Sequence, residues 1–189
     1  MMVALSTVLS MVKIWEAPLG GSVTLFSMVP IILCGFLHGA KMGFFSAFVY
    51  AVIQLLLGIG TVAYVPEAFA VVLCIFLDYI LAFSCLGVSG CFRSLSLFKS
   101  EKVNRYVNVT IGSLVALLLR FFFHVLSGAV VWYSITKDGG WNEAVFKYGK
   151  WAYSLIYNSG FMVPEIILTL LAVPVSAALI RLIGGKIKR

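Results

Sequence analysis

The chain reads as an all-α integral membrane protein of six transmembrane helices, and three features of the sequence say so. Hydrophobic residues fill 62% of its 189 positions and charged residues 11%, with a mean hydropathy of +1.08, whereas soluble domains are roughly half apolar and a quarter charged. Apolar stretches recur at about the 20-residue length with which a helix crosses a hydrocarbon core of roughly 30 Å. The charged residues gather between those stretches and change in kind from one gap to the next.

The segments fall at about 1–14, 23–38, 41–60, 67–92, 106–135 and 161–183. The first lacks a basic lead-in and a small-residue cleavage site, so it is expected to remain attached and not to act as a signal peptide. It carries Ser6 and Ser10, a small-xxx-small face of the kind that lets membrane helices approach closely, either inside the chain or against a partner. The second segment is short for a span. The third holds Gln54, suited to a hydrogen bond between helices. In the fourth, the run Phe69–Leu86 has Asp78 as its one charge, and the fifth contains Arg120 and His124. The outer connection at about 136–160 carries Trp141, Phe146, Tyr148, Trp151, Tyr153 and Tyr157. It is either an interfacial aromatic belt or a lid over an outward pocket. In the sixth segment Pro164 and Glu165 fit the first turn of a helix, where proline is tolerated and a carboxylate complements the dipole. With no repeat in the sequence, residues 1–189 form one domain.

The charges orient these spans. Lys41, Arg93, Lys99, Lys102, Arg105, Arg181, Lys186, Lys188 and Arg189 lie on one side, opposed by Glu101 alone. Lys13, Lys137, Lys147 and Lys150 are balanced by Glu16, Glu67, Asp138 and Glu143 on the other. The positive-inside rule therefore puts both termini and the 93–105 loop in the cytoplasm. The net charge of +7 is thus a matter of topology and does not indicate nucleic acid. Cys34, Cys74, Cys85 and Cys91 form no C-x-x-C pair, and His38 and His124 are far apart in the topology, so no metal site is expected. Gly184-Gly185-Lys186 lacks the first glycine and the hydroxyl residue of a phosphate-binding loop. No catalytic set is present either, and an enzyme is not expected.

An ionisable residue within a span marks a functional site and needs a partner. Arg120, His124, Gly128 and Trp132 recur every four residues along one stripe of the fifth helix. Asp78 and Arg120 could form a plain interhelical ion pair, but histidine, glycine and tryptophan on the same stripe favour a pocket, with Gly128 leaving room for a flat ligand. A carboxylate, several aromatic rings, His124 and Asn158 suit a small, flat, cationic heterocycle held by countercharge and cation–π attraction. A proton-coupled secondary transporter of such a heterocycle, using Asp78, Arg120 and His124 as a relay, is the alternative reading.

The stretches Gly20–Pro30 (GGSVTLFSMVP), Leu77–Phe83 (LDYILAF), Arg120–Gly128 (RFFFHVLSG), Tyr153–Asn158 (YSLIYN) and Pro164-Glu165 together resemble the ThiT/YuaJ family, the thiamine-specific S-components of energy-coupling factor (ECF) transporters. The resemblance implies the ECF S-component fold in a bacterial plasma membrane, with thiamine bound near the outer face and no cofactor. It implies a substrate site of Asp78, Tyr79, Arg120, His124, Gly128, Trp132, Tyr153 and Asn158, in which Arg120 either touches the ligand or orients Asp78. It also implies partners: a transmembrane coupling subunit and two ATPase subunits. Two positions depart from the family. Gly20, Gly21 and Ser22 stand where some members place a tryptophan. Of an alanine pair used for docking on the coupling subunit only Ala4 is matched, which leaves Ala4, Ser6 and Ser10 as the expected docking face.

Overall fold

A computed structural model of the chain describes residues 1–18 and 20–187. Helix α1 (Met2–Met11) leads into an antiparallel hairpin, β1 (Lys13–Glu16) and β2 (Ser22–Thr24). Then follow α2 (Val29–His38), α3 (Ala40–Leu57), α4 (Ala68–Phe92), α5 (Glu101–Gly139), α6 (Lys150–Leu171) and α7 (Val173–Ile187). Helices α3 to α6 are each long and apolar enough to cross a membrane, while α1, α2 and residues Val173–Gly184 of α7 are shorter apolar helices. Exposed apolar side chains such as Phe45, Leu56, Phe69 and Phe122 cover the outside of the bundle. That is the surface a lipid environment requires, since helices satisfy their own backbone groups there.

The inner half of the bundle is packed backbone to backbone. A β-carbon on Gly43 would lie 2.9 Å from Gly35 Cα, one on Gly87 would lie 2.5 Å from Phe44 Cα, and one on Gly90 would lie 2.9 Å from Ala40 Cα. Glycine at these positions brings α2, α3 and α4 into direct contact, where dispersion rather than water drives association. Around this seam Ile31, Ile32, Tyr50, Leu86 and Leu117 are fully buried. The outer half is looser, and it holds the cavity described below.

Several expected boundaries move. The sixth segment begins at Lys150 and not at 161, and it is broken at Ala172, the residue between α6 and α7. Pro164 and Glu165 consequently lie inside α6 and not in its first turn. A proline inside a membrane helix is tolerated because neighbours satisfy the backbone group it frees. The outer stretch at 136–160 is not a loop lid: it comprises the end of α5, a short helix Ala144–Lys147 and the first turns of α6. Trp141, Phe146, Tyr148 and Trp151 are exposed there, as interfacial aromatics are. The element that lies over the cavity is the β1–β2 hairpin, which the apolar pattern did not reveal because its four β1 residues are all exposed.

The expected docking face also changes. Ser6 and Ser10 are buried inside the chain, and Gln54 Nε2 donates to Ser10 Oγ at 2.8 Å. Their small size serves internal packing of α1, whereas Ala4 is exposed beside Leu5 and Val8. Lys188 and Arg189, part of the basic C-terminal cluster, lie outside the described residues.

Candidate functional site

The outer half of the bundle encloses a cavity of about 380 Å³, within the range of roughly 300–1,000 Å³ usual for small-molecule sites. The end of α1, the hairpin, the end of α3, the middle of α4, residues 153–165 of α6 and the second half of α5 all contribute to its wall. On the orientation expected from the charge distribution, this half of the bundle is the exterior one. All eight residues singled out in the sequence, Asp78, Tyr79, Arg120, His124, Gly128, Trp132, Tyr153 and Asn158, line this one space.

Asp78 is the centre of its polar network. Its Oδ2 accepts from Ser127 Oγ at 2.6 Å and from Trp132 Nε1 at 2.8 Å, with the Cys74 thiol 3.6 Å away. Its Oδ1 lies 3.1 Å from His124 Nδ1. Donors on three successive turns of α5 thus fix a single carboxylate on α4. Two wide π-helical turns make this possible, one at Ile75–Leu81 around Asp78 and one at Gly128–Trp132. Such turns insert an extra residue into the helix and re-aim the side chains beside it, frequently at functional sites. The four-residue stripe holds to Gly128 and is then offset, turning the Trp132 indole toward α4.

Arg120 takes no part in that network. Among the described residues it forms no ion pair; its Nη1 donates to Met28 Sδ and its guanidinium lies 4.3 Å from the centre of the Phe83 ring. The interhelical Asp78–Arg120 staple is absent, and so is any direct orientation of Asp78 by Arg120. Arg120 shares the cavity wall with Glu165, which the sequence suggested as a helix cap. Glu165 is 1% exposed, lines the cavity and accepts at Oε1 from both Thr24 N and Thr24 Oγ1 at 2.6 Å.

Gly128 also has a different role from the one expected. A β-carbon there would lie 2.2 Å from Ser154 Oγ and 2.9 Å from Asn158 Nδ2. The space belongs to α6, which approaches α5 closely enough for Ser154 Oγ to donate to Val125 O at 2.6 Å. Asn158 Nδ2 in turn donates to Ser154 O at 2.9 Å, leaving its carbonyl oxygen for the cavity. Tyr79 is held by a 3.0 Å bond to Gly58 O, and Tyr153 stacks on Tyr157 with ring centres 6.1 Å apart.

The hairpin is tied down at two points. Thr24 is bound by Glu165, and Tyr157 OH donates to Gly20 O at 3.0 Å. Gly21, at φ +86°, packs on Phe161 so tightly that a β-carbon would lie 2.5 Å from the ring. This close approach accounts for glycine where a tryptophan was looked for. Ser127 and Thr24 were not identified from the sequence, while Glu165 was expected to cap a helix and Tyr157 to belong to the outer aromatic stretch. Ser127 alone left a signal, three residues from His124 and hence on the same helix face.

A family profile described as "Thiamine transporter protein (Thia_YuaJ)" matches residues 1–181. The chain is 34% identical over 154 residues to the thiamine transporter ThiT of Bacillus subtilis (strain 168), covering 80% of this chain and 72% of that one. It is 26% identical over 154 residues to ThiT of Lacticaseibacillus paracasei, covering 79% and 70%. Its fold matches a solved structure of ThiT from Listeria monocytogenes with a TM-score of 0.62 at 19% identity, over 98% of this chain and 90% of that one.

Proposed function

The chain belongs to the thiamine transporter family, and on that premise we propose that its outer cavity binds thiamine and that the protein serves as the substrate-specificity subunit of an ATP-driven ECF importer. The observation that carries the binding step is one of charge. Of the acidic and basic residues lining the cavity, Lys13 pairs with Glu16, while Arg120 and Glu165 are one positive and one negative charge that cancel in the sum. Asp78 is left with neutral donors and His124 beside it. With His124 neutral the cavity therefore presents one uncompensated negative charge, and thiamine carries one fixed positive charge on its thiazolium ring.

The rings around that carboxylate complete the fit. Trp132, Tyr79 and Tyr153 offer faces for a desolvated cationic ring, which cation–π attraction favours. The hydrogen bonds of Trp132 to Asp78 and of Tyr79 to Gly58 O, and the stacking of Tyr153 on Tyr157, hold the rings in place before the ligand arrives, reducing the entropy lost on binding. Asn158 and His124 supply hydrogen-bonding edges for the second ring. Delivery across the membrane then requires a source of work. The sequence contains no phosphate-binding loop, so a coupling subunit and two ATPases would supply it, with exposed Ala4, Leu5 and Val8 on α1 as the docking face.

Calorimetric titration of the purified protein in detergent tests binding: thiamine should bind without nucleotide, and Asp78→Asn combined with Trp132→Ala should abolish the signal. Unchanged affinity in that double variant would remove the carboxylate and the indole from the site. Reconstitution tests the coupling. Uptake should require the partner subunits and ATP, whereas uptake by this chain alone under a pH gradient would select proton-coupled transport.

A further inference from the structure

We propose that Arg120 and Glu165 form a second polar subsite of the cavity, which takes a neutral group that accepts from the guanidinium and donates to the carboxylate. The two side chains come from different helices, are 6% and 1% exposed, and line the same space. They are of opposite charge yet form no ion pair. Each keeps one unsatisfied buried atom, Nε of Arg120 and Oε2 of Glu165. The partners they do have leave this need unmet. Arg120 has a thioether and a ring face, and the two bonds from Thr24 to Glu165 both go to the other carboxylate oxygen.

A buried polar group without a partner is costly, most of all when charged. A group bridging Arg120 and Glu165 removes both penalties at once. Its charge is constrained as well. An anion such as a phosphate would be repelled by Glu165 and a second cation by Arg120, so a neutral donor–acceptor fits. The position is deeper than the Asp78 network: Arg120 is one helical turn, about 6 Å, farther from the outer end of α5 than His124. A ligand whose cationic ring sits by Asp78 and Trp132 would reach this subsite with one of its neutral extremities.

The inference rests on the reading of the cavity as a thiamine site, and thiamine has two such extremities, its primary hydroxyl and the amino-nitrogen edge of its pyrimidine. Titrations of wild type and Glu165→Gln with thiamine, an analogue lacking the hydroxyl and an analogue lacking the amino group separate them. The variant should bind thiamine about 10-fold or more weakly, as loss of a hydrogen bond to a charged group implies. That loss should vanish for the analogue lacking the engaged group and persist for the other, which identifies the extremity. An equal loss for all three ligands would mean that Glu165 acts only through Thr24 and the hairpin, overturning the subsite. Unchanged binding throughout would overturn it too. Failure of wild type to bind thiamine would reject the cavity reading and the subsite with it, a result distinguishable from either.

Discussion

Trp132 Nε1 donates to Asp78 Oδ2 across 2.8 Å, joining the ring and the carboxylate that a cationic ligand would use. The indole is therefore oriented by the acid, and altering either residue alters the other. Asp78→Asn should weaken thiamine binding by about 100-fold, since charge-assisted bonds are each worth ~1.5–3 kcal/mol and the countercharge is lost as well. Titration calorimetry gives the affinity, and a change in indole emission in the unliganded variant would report the freed Trp132.

Gly128→Ala should push α5 from α6, because its new methyl would meet Ser154 Oγ and Asn158 Nδ2. Overpacking of this kind costs about 1–3 kcal/mol, so thermal unfolding in detergent should shift downward. Adding Ser154→Ala removes the nearest atom and should recover part of the loss. Wild-type stability in Gly128→Ala alone would show that the helices are farther apart than described.

Gly21→Ala should loosen the hairpin through two effects acting together, a left-handed backbone that favours glycine and a clash with Phe161. The expected result is faster thiamine release with a smaller change in association, read by stopped-flow fluorescence. A dissociation rate equal to that of wild type would remove the hairpin from the closed state.

Ser6→Leu and Ala4→Leu should separate internal packing from the exposed face of α1. Ser6 is fully buried, so the larger side chain should destabilise the fold by about 1–3 kcal/mol. Ala4 is exposed, so its replacement should leave both thermal stability and thiamine affinity in detergent unchanged. Equal destabilisation by the two substitutions would reverse the assigned orientation of the helix.

What was legible from residues alone follows from strong, local signals. The spans could be read because a bilayer penalises every charge and open backbone group within it, and Asp78, Arg120 and His124 could be read because they defy that penalty. Their spacing placed Arg120, His124 and Gly128 on one face of α5. The hairpin was not legible, since four exposed residues followed by a turn leave no apolar alternation. Glu165 was misassigned because proline before glutamate is a common helix start, and only the packing shows α6 running through it.

The sequence by itself determined that the chain lives in a membrane, which orientation its charges favour and which side chains need a polar setting, because these depend on transfer free energies of residues taken one at a time. Tertiary structure decided who partners whom. Two π-helical turns, invisible to a regular period, bring Trp132 and Ser127 onto Asp78, while Arg120 lines the cavity with Glu165 and stays out of that network. Pairings of this kind depend on the approach of helices far apart in the chain, which steric fit at Gly128 and Gly21 fixes and composition does not.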